Sequence, residues 1–343
     1  MKKNLFAIAA LTVLFAACRK TDDLQTGASQ QTGTNELNNL SEKQKTPAAI
    51  NFTAPMLFPE GMVYNPFTDQ FLVSSIAQGT IGSVTKQGVY APFIQDAALA
   101  STSGMEIDKA RKRLFVTSSV VEGTLAQLAI YDLNTKARLF LIDLVALAND
   151  GAPHLANDVA LDQRGNAYVT DSYAGKIYKV EPNGNATVFY NNPAYTPAPG
   201  GFGFNGIEYS NSQGGYLLVA HTALARIIKI PVDNPAVFSI VQFPPSLISP
   251  DGLLLSKNSK ELIVVNNTAQ FPGSNVTSFE TNNHWGTATS TEAFETGIVY
   301  PTTLTSDGRT EWVLYSHIHL LFGNVYHETF TIQPLPFNSN NPF

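Results

Sequence analysis

Four residues of this sequence, Glu60, Asn157, Asn205 and Asp251, carry the kind of side-chain oxygen that holds a hard cation, and each stands at the same point of a local pattern. In each case an apolar residue follows two positions later (Met62, Val159, Ile207 and Leu253), and then come a polar turn and a second apolar run. Two carboxylates and two amide oxygens make a cage of formal charge about −2, suited to Ca²⁺. Calcium takes about six to eight oxygens, so four protein ligands leave positions for water and for a substrate oxygen. Such an incomplete cage is what metal-assisted polarisation of a bond requires.

The pattern that carries these residues occurs six times: PEGMVYNPFTDQFLVSS from Pro59, SGMEIDKARKRLFVTSS from Ser103, ANDVALDQRGNAYVTD from Ala156, FNGIEYSNSQGGYLLVAH from Phe204, PDGLLLSKNSKELIVVNN from Pro250 and PTTLTSDGRTEWVLYSH from Pro301. The intervals are roughly 44 to 53 residues, the period of propeller blades. Each copy reads as a hairpin, and most are followed by two more strand-like runs, as in GKIYKVEPNG and ATVFYNN after the third. Four antiparallel strands make one blade. The sequence therefore predicts an all-β fold, a six-bladed β-propeller of four-stranded antiparallel blades. In the sixth repeat Pro334, Pro336 and Pro342 oppose a regular last strand, so INFTAPML, residues 50–57, is expected to complete that blade and close the ring. A pair of β-sandwiches would also hold many short strands, but would not require one hairpin to recur six times in one register.

In that register the first strands open with Glu60, Ser103, Asn157, Asn205, Asp251 and Thr302, and the second strands end with Ser74, Ser118, Asp171, His221, Asn266 and His317. Antiparallel pairing brings both sets to one mouth of the channel, a polar concavity with apolar walls. Ser, Asn and Asp at strand ends also satisfy backbone groups, the plainer role for Ser74, Ser103, Ser118 and Thr302. Strict alternation turns Asp158 away from Asn157 and leaves it a strand-end hydrogen-bonding role. The role of Asp171 stays open.

Charged residues make up 14% of the 343, the net charge is −6 and no basic stripe is present, which excludes an electrostatic nucleic-acid binder and suits a cation site. Lys2 and Lys3 precede an apolar run from Leu5 to Ala17 that is short for a bilayer span and has the layout of a signal peptide, residues 1–17. Ala16-Ala17-Cys18 resembles a bacterial lipobox, with Phe15 where Leu is usual. Cys18 is thus expected to carry a lipid anchor, the only link to a membrane, on a protein of the cell envelope that is exported to the outer membrane or periplasm. Ordinary secretion with an incidental cysteine is the alternative. As the only cysteine, Cys18 permits no intrachain disulfide. Residues 18–48 are polar and poor in aromatics and read as a flexible tether, leaving residues 49–343 for the propeller, expected to be a monomer.

PEGMVY, ANDVALDQRGNAYVTD, FNGIEY and SPDGLLL resemble the gluconolactonase/regucalcin (SMP-30) family and its relatives, the paraoxonases and the diisopropylfluorophosphatase-type phosphotriesterases, all six-bladed calcium propellers. The resemblance covers the chain from about Ala49. It implies that Glu60, Asn157, Asn205 and Asp251 are the calcium ligands, and that a lactone or related ester is hydrolysed with Ca²⁺ stabilising the developing oxyanion. It further implies that Asp251 activates water or attacks directly, and that His317 matches a histidine near the calcium of phosphotriesterase-type members. His221 stands at the same level in the fourth blade, and both histidines are candidate acid/base or oxyanion groups, with rim packing as the alternative. His154 is a further candidate for the mouth. Sugar-lactone members carry an Arg where this chain has Leu155, which points away from a sugar-acid lactone, and Phe202, Phe204 and Trp285 point towards a more apolar substrate.

No GxSxG elbow, HExxH, P-loop or CxxC motif is present. Two functions follow: a calcium-dependent hydrolase of a small-molecule ester or lactone, and a non-enzymatic binding propeller with structural calcium. A condensing enzyme of the strictosidine-synthase type would share the fold but not the calcium set.

Overall fold

The structure, a computed structural model, describes residues 47–244, 247–268, 274–337 and 343. The expected signal peptide, Cys18 and the tether as far as residue 46 lie outside the described residues.

Among the described residues, 24 strands form six separate four-stranded antiparallel sheets, the blades of a propeller. The first strands, Met62–Asn65, Ser101–Asp108, Ala156–Leu161, Phe204–Ser210, Pro250–Leu255 and Pro301–Ser306, touch one another in turn around the ring and line the channel. The second strands, Gln70–Val73, Arg113–Ser119, Ala167–Asp171, Tyr216–His221, Glu261–Asn266 and Glu311–Tyr315, lie deeper between neighbouring blades. Burial on both faces explains why they read as nearly unbroken apolar runs such as YLLVAH and ELIVVN. The core is accordingly divided into six clusters, one between each pair of neighbouring blades.

The expected closure is present. Strand Ile50–Thr53 pairs with Thr329–Pro334 in the sixth blade, in register Ile50 with Ile332 and Phe52 with Phe330. Its pattern alternates: Ile50 and Phe52 are buried, Asn51 and Thr53 exposed. Phe52 packs against Phe330 with ring centroids 5.8 Å apart, joining a cluster that includes Phe58, Phe71 and Trp312 and spans the first and last blades. The chain ends are thereby locked to each other, and the last blade has no bare edge beside its third strand.

The feature that shapes the site is a register shift at the mouth end of the first hairpin in blades two to six, between Thr102 and Met105, Ala156 and Val159, Phe204 and Ile207, Pro250 and Leu253, and Pro301 and Leu304. Two residues of the first strand there oppose one of the second, a β-bulge. The first bulge residue is Ser103, Asn157, Asn205, Asp251 or Thr302; the second is usually glycine. The reason is close approach: a Cβ on Gly206 would stand 2.2 Å from the Asp251 carbonyl oxygen, and one on Gly252 would stand 2.5 Å from that of Thr302. Each bulge thus leans its backbone on the next, and threonine hydroxyls tie the joints, Thr117 Oγ1 donating to the Asn157 carbonyl at 2.7 Å and Thr170 Oγ1 to that of Asn205 at 2.7 Å.

Candidate active site

In blades one, five and six the approach to the mouth repeats one device. Phe58, Ser249 and Tyr300 take left-handed φ values of 45°, 47° and 51°, and each is followed by a proline and then by Glu60, Asp251 or Thr302. A left-handed residue turns the chain inward and proline then fixes φ near −65°, so the two carboxylates arrive on a stiff backbone.

A cavity of about 190 Å³ opens at this mouth. Glu60, Asn157, Asn205 and Asp251 all line it, as do Asn267 and Tyr300. The structure therefore brings together the four residues singled out as cation ligands. Burial first, then the charges of Asp251 and Asp158, pushes Glu60 well above the usual carboxylate range. Burial and then Asp158 do the same to Asp251, against hydrogen bonds from Asn205 and Asn267. Asn205 Nδ2 also donates to Thr222 Oγ1 at 3.0 Å. The Asn157 side-chain oxygen is buried with no hydrogen-bond partner among the described residues, an arrangement that costs about 1–3 kcal/mol unless a ligand satisfies it. Among the described residues no Lys, Arg or His lines the cavity to neutralise the carboxylates.

A Ca²⁺-sized cation fits this donor set: it would relieve the repulsion of Glu60 and Asp251 and give the Asn157 oxygen a partner. Among the described residues no group of three or more His, Cys, Asp or Glu side chains is arranged to hold a metal ion. The two asparagines would therefore be integral to any such site.

Two residues beyond the expected ligands act on the site, one from the cavity lining and one from outside it. Asn267, one position past the second strand of blade five, donates from Nδ2 to Asp251 Oδ2 and fixes the orientation of that carboxylate. Asp158 is the second: it has the hydrogen-bonding role expected of it, but not the orientation that alternation gives. The bulge breaks the alternation, so Asp158 occupies the position that is glycine in blades one, two, four and five, and its carboxylate turns into the channel. It accepts from Val159 N at 2.8 Å and from Ile207 N, in the next blade, at 3.1 Å. Burial, with the charge of Glu106 adding and these N–H groups opposing, raises its pKa to about 7. The legible signal was an aspartate where the repeat calls for glycine.

The second set of polar residues turns out to be fasteners. Ser74 Oγ accepts from Glu60 N at 3.3 Å and Gly61 N at 2.7 Å, Ser118 Oγ from Ala100 N at 3.0 Å, and Asn266 Oδ1 from Ile248 N at 3.1 Å. Asp171, whose role the sequence left open, accepts from Leu155 N at 3.0 Å. Each holds the segment arriving at its own blade's first strand. His221 does likewise: Nε2 lies 2.9 Å from the Tyr195 carbonyl and Nδ1 accepts from Leu224 N at 3.2 Å. With both ring nitrogens engaged by backbone and the residue 1% exposed, His221 does not reach the cavity as an acid/base group. His154 is also buried, clamped between Asp171 (Nδ1 to Oδ2, 2.6 Å) and Asp150 (Nε2 to Oδ1, 3.0 Å). Burial disfavours its charge, but the two carboxylates outweigh burial and raise its pKa.

His317 is likewise not brought to the cavity. The second strand of blade six ends at Tyr315, and His317 lies beyond it at φ 53°, leading into the short helix Ile318–Phe322. Its ring sits 4.5 Å from that of His327 and 6.0 Å from that of His319. Burial, then those two neighbours, lowers its pKa to about 4, so it is neutral at pH 7.

The cavity wall is mostly apolar: Ile76, Val120, Val121, Leu155, Phe202 and Ile318 contribute to it, with Ser101, Ser119 and Thr222 between them. Of the three aromatic residues read as pointing to an apolar substrate, only Phe202 lines it; Phe204 and Trp285 are fully buried in clusters between blades.

The sequence matches no protein-family profile and no curated protein. Solved structures match it over most of their length. The Malassezia sympodialis allergen Mala s 1 superposes with a TM-score of 0.68 at 15% identity, covering 86% of this chain and 98% of the allergen. A gluconolactonase from Xanthomonas campestris gives 0.59 at 13% identity, covering 84% and 91%. Virginiamycin B lyase from Staphylococcus aureus gives 0.52 at 13% identity, covering 84% and 99%. At these identities the likeness is one of fold, and the structures that share it include a gluconolactonase.

Proposed function

We propose that this protein is a cation-dependent hydrolase of a small-molecule lactone or related ester, with Ca²⁺ held by Glu60, Asn157, Asn205 and Asp251. The observation that carries the reading is the floor of the cavity: two mutually repelling carboxylates, Asp251 buried and Glu60 partly so, beside an unpaired asparagine oxygen, with no cationic side chain lining the cavity among the described residues. The gluconolactonase among the structural relatives supports the reaction class. When bound, the ion would supply Lewis-acid polarisation of the ester carbonyl. The chain's own residues do the rest. Asn267 and Asn205 hold Asp251 in a fixed orientation, from which its carboxylate can take a proton from water or attack the carbonyl carbon. The apolar wall excludes bulk water and strengthens these electrostatic interactions. The same reading includes export and lipid anchoring at Cys18.

The test is calcium calorimetry on the chain and on Asp251→Asn, together with turnover of lactones, aryl esters and phosphotriesters with Ca²⁺ and with EDTA. One strong calcium site, lost in Asp251→Asn along with turnover, supports the proposal. Stoichiometric calcium without turnover across that panel would leave a binding propeller, and absence of calcium binding would remove the proposal altogether.

A further inference from the structure

The cavity separates its chemistry by depth. The charged and amide groups, Glu60, Asn157, Asn205, Asp251 and Asn267, gather around the first bulge positions, while Ile76, Val120, Val121, Leu155, Phe202 and Ile318 form the wall. At the rim, Val121 is 70% exposed, Phe322 65% and Phe202 39%. Val121 and Phe202 are tied together through Tyr173. Tyr173 donates its hydroxyl to the Val121 carbonyl at 3.1 Å, and its ring lies tilted against that of Phe202 with centroids 6.0 Å apart, so blades two to four present one continuous apolar ledge.

Size and charge then restrict the occupant. A volume of about 190 Å³ exceeds the roughly 150 Å³ that admits benzene in an engineered cavity, so the enclosed part takes one ring-sized head. Anything larger must continue over the ledge. With no Lys, Arg or His lining the cavity among the described residues, and carboxylates on its floor, an anionic substituent would meet repulsion without a partner. A substituent rich in hydroxyls would lose its water against Val121, Leu155 and Phe202, which offer no side-chain hydrogen bonds in return.

We infer that the substrate is an uncharged ester or lactone with a ring-sized polar head and an apolar arm that lies on the Val121–Tyr173–Phe202 ledge. The inference rests on the proposed function for the identity of the head, but the arm can be measured without turnover. The experiment is calorimetric binding, to the full chain in EDTA, of uncharged five-membered lactones whose alkyl substituent grows from methyl to heptyl. A polyhydroxylated lactone and a carboxylate-bearing lactone of the same ring size serve as comparators. Burial of each methylene predicts about a fourfold fall in Kd per added carbon over the first few. Phe202→Ser and Val121→Ser, both at exposed positions that the fold tolerates, should flatten that slope. Leu155→Arg should create affinity for the carboxylate-bearing lactone.

A flat series, or a polyhydroxylated lactone that binds more tightly than the heptyl compound, overturns the inference. The two proposals fail separately. A steep series in EDTA with no hydrolysis in Ca²⁺ keeps the apolar ledge and removes the hydrolase, whereas calcium-dependent hydrolysis confined to polyhydroxylated lactones does the reverse.

Discussion

Replacing Asp158 by Asn tests whether a charged group is really buried in the channel. The fold raises this carboxyl from 3.8 to about 7. A carboxyl whose pKa is raised on folding leaves the protein most stable below the unfolded value, and stability is lost as pH rises through the folded one. With these two values, ionisation of Asp158 removes roughly 1.7 kcal/mol by pH 5 and roughly 4.3 kcal/mol by pH 8, a difference of about 2.6 kcal/mol between them. The amide of the Asp158→Asn variant carries no such dependence. It keeps one acceptor, so the N–H of Val159 or of Ile207 loses its partner, at a cost of about 1–3 kcal/mol that is the same at both pH values. In guanidinium unfolding with EDTA present, Asp158→Asn should therefore be less stable than the parent at pH 5, or nearly equal to it, and gain on it by about 2–3 kcal/mol at pH 8. Parallel pH profiles of the two proteins would refute the buried charge.

The same logic makes calcium stabilise more at pH 8 than at pH 5, since Glu60 and Asp251 are both raised by burial and repulsion; scanning calorimetry with Ca²⁺ and EDTA at the two pH values reads this directly. Asn267→Ala should lower kcat by about tenfold or more while far-ultraviolet circular dichroism is unchanged, because it frees a carboxylate already in place. His221→Gln should cost about 1–3 kcal/mol of stability through its two backbone contacts yet leave kcat within about twofold; a large loss of kcat with an intact fold would restore His221 as a catalytic group. Gly206→Ala should destabilise by more than about 2 kcal/mol in denaturant unfolding, since the new methyl would meet the Asp251 carbonyl, a backbone atom that cannot swing aside.

The fold was legible because its signal is repeated: six hairpins in one register, with an orphan strand at residues 50–53 whose alternating Ile50 and Phe52 needed a partner. The floor was legible for the same reason, Glu60, Asn157, Asn205 and Asp251 being comparable positions of comparable strands. What failed was any step that assumed ideal strands. Alternation turned Asp158 outward, and a bulge turned it back. Equal strand lengths put His317 level with His221, but the sixth second strand stops two residues earlier, at Tyr315. Whether a polar strand-end residue faces the cavity or fastens a loop depends on which backbone N–H lies unpaired beside it, and for His221 the deciding groups are Leu224 N and Tyr195 O, outside its own hairpin. Asn267 was hidden by its neighbour, Asn266, which occupies the regular position and turned out to be the fastener.

The arrangement of the bulges bears on why the floor is acidic at all. A closed ring needs close backbone approach at each first-strand joint, and glycine provides it at Gly61 in blade one and, after the first bulge residue, at Gly104, Gly206 and Gly252. Asp158 departs from that economy and, although it does not line the cavity, adds a carboxylate whose charge acts on Glu60 and Asp251. On the pKa shift alone, Asp158 costs the metal-free fold roughly 4 kcal/mol at pH 8. A ligand that binds only the folded state returns about 4.1 kcal/mol when present at 1,000 times its Kd. Millimolar calcium acting on a micromolar site would thus offset one such carboxylate, an affinity that calcium calorimetry can meet or miss.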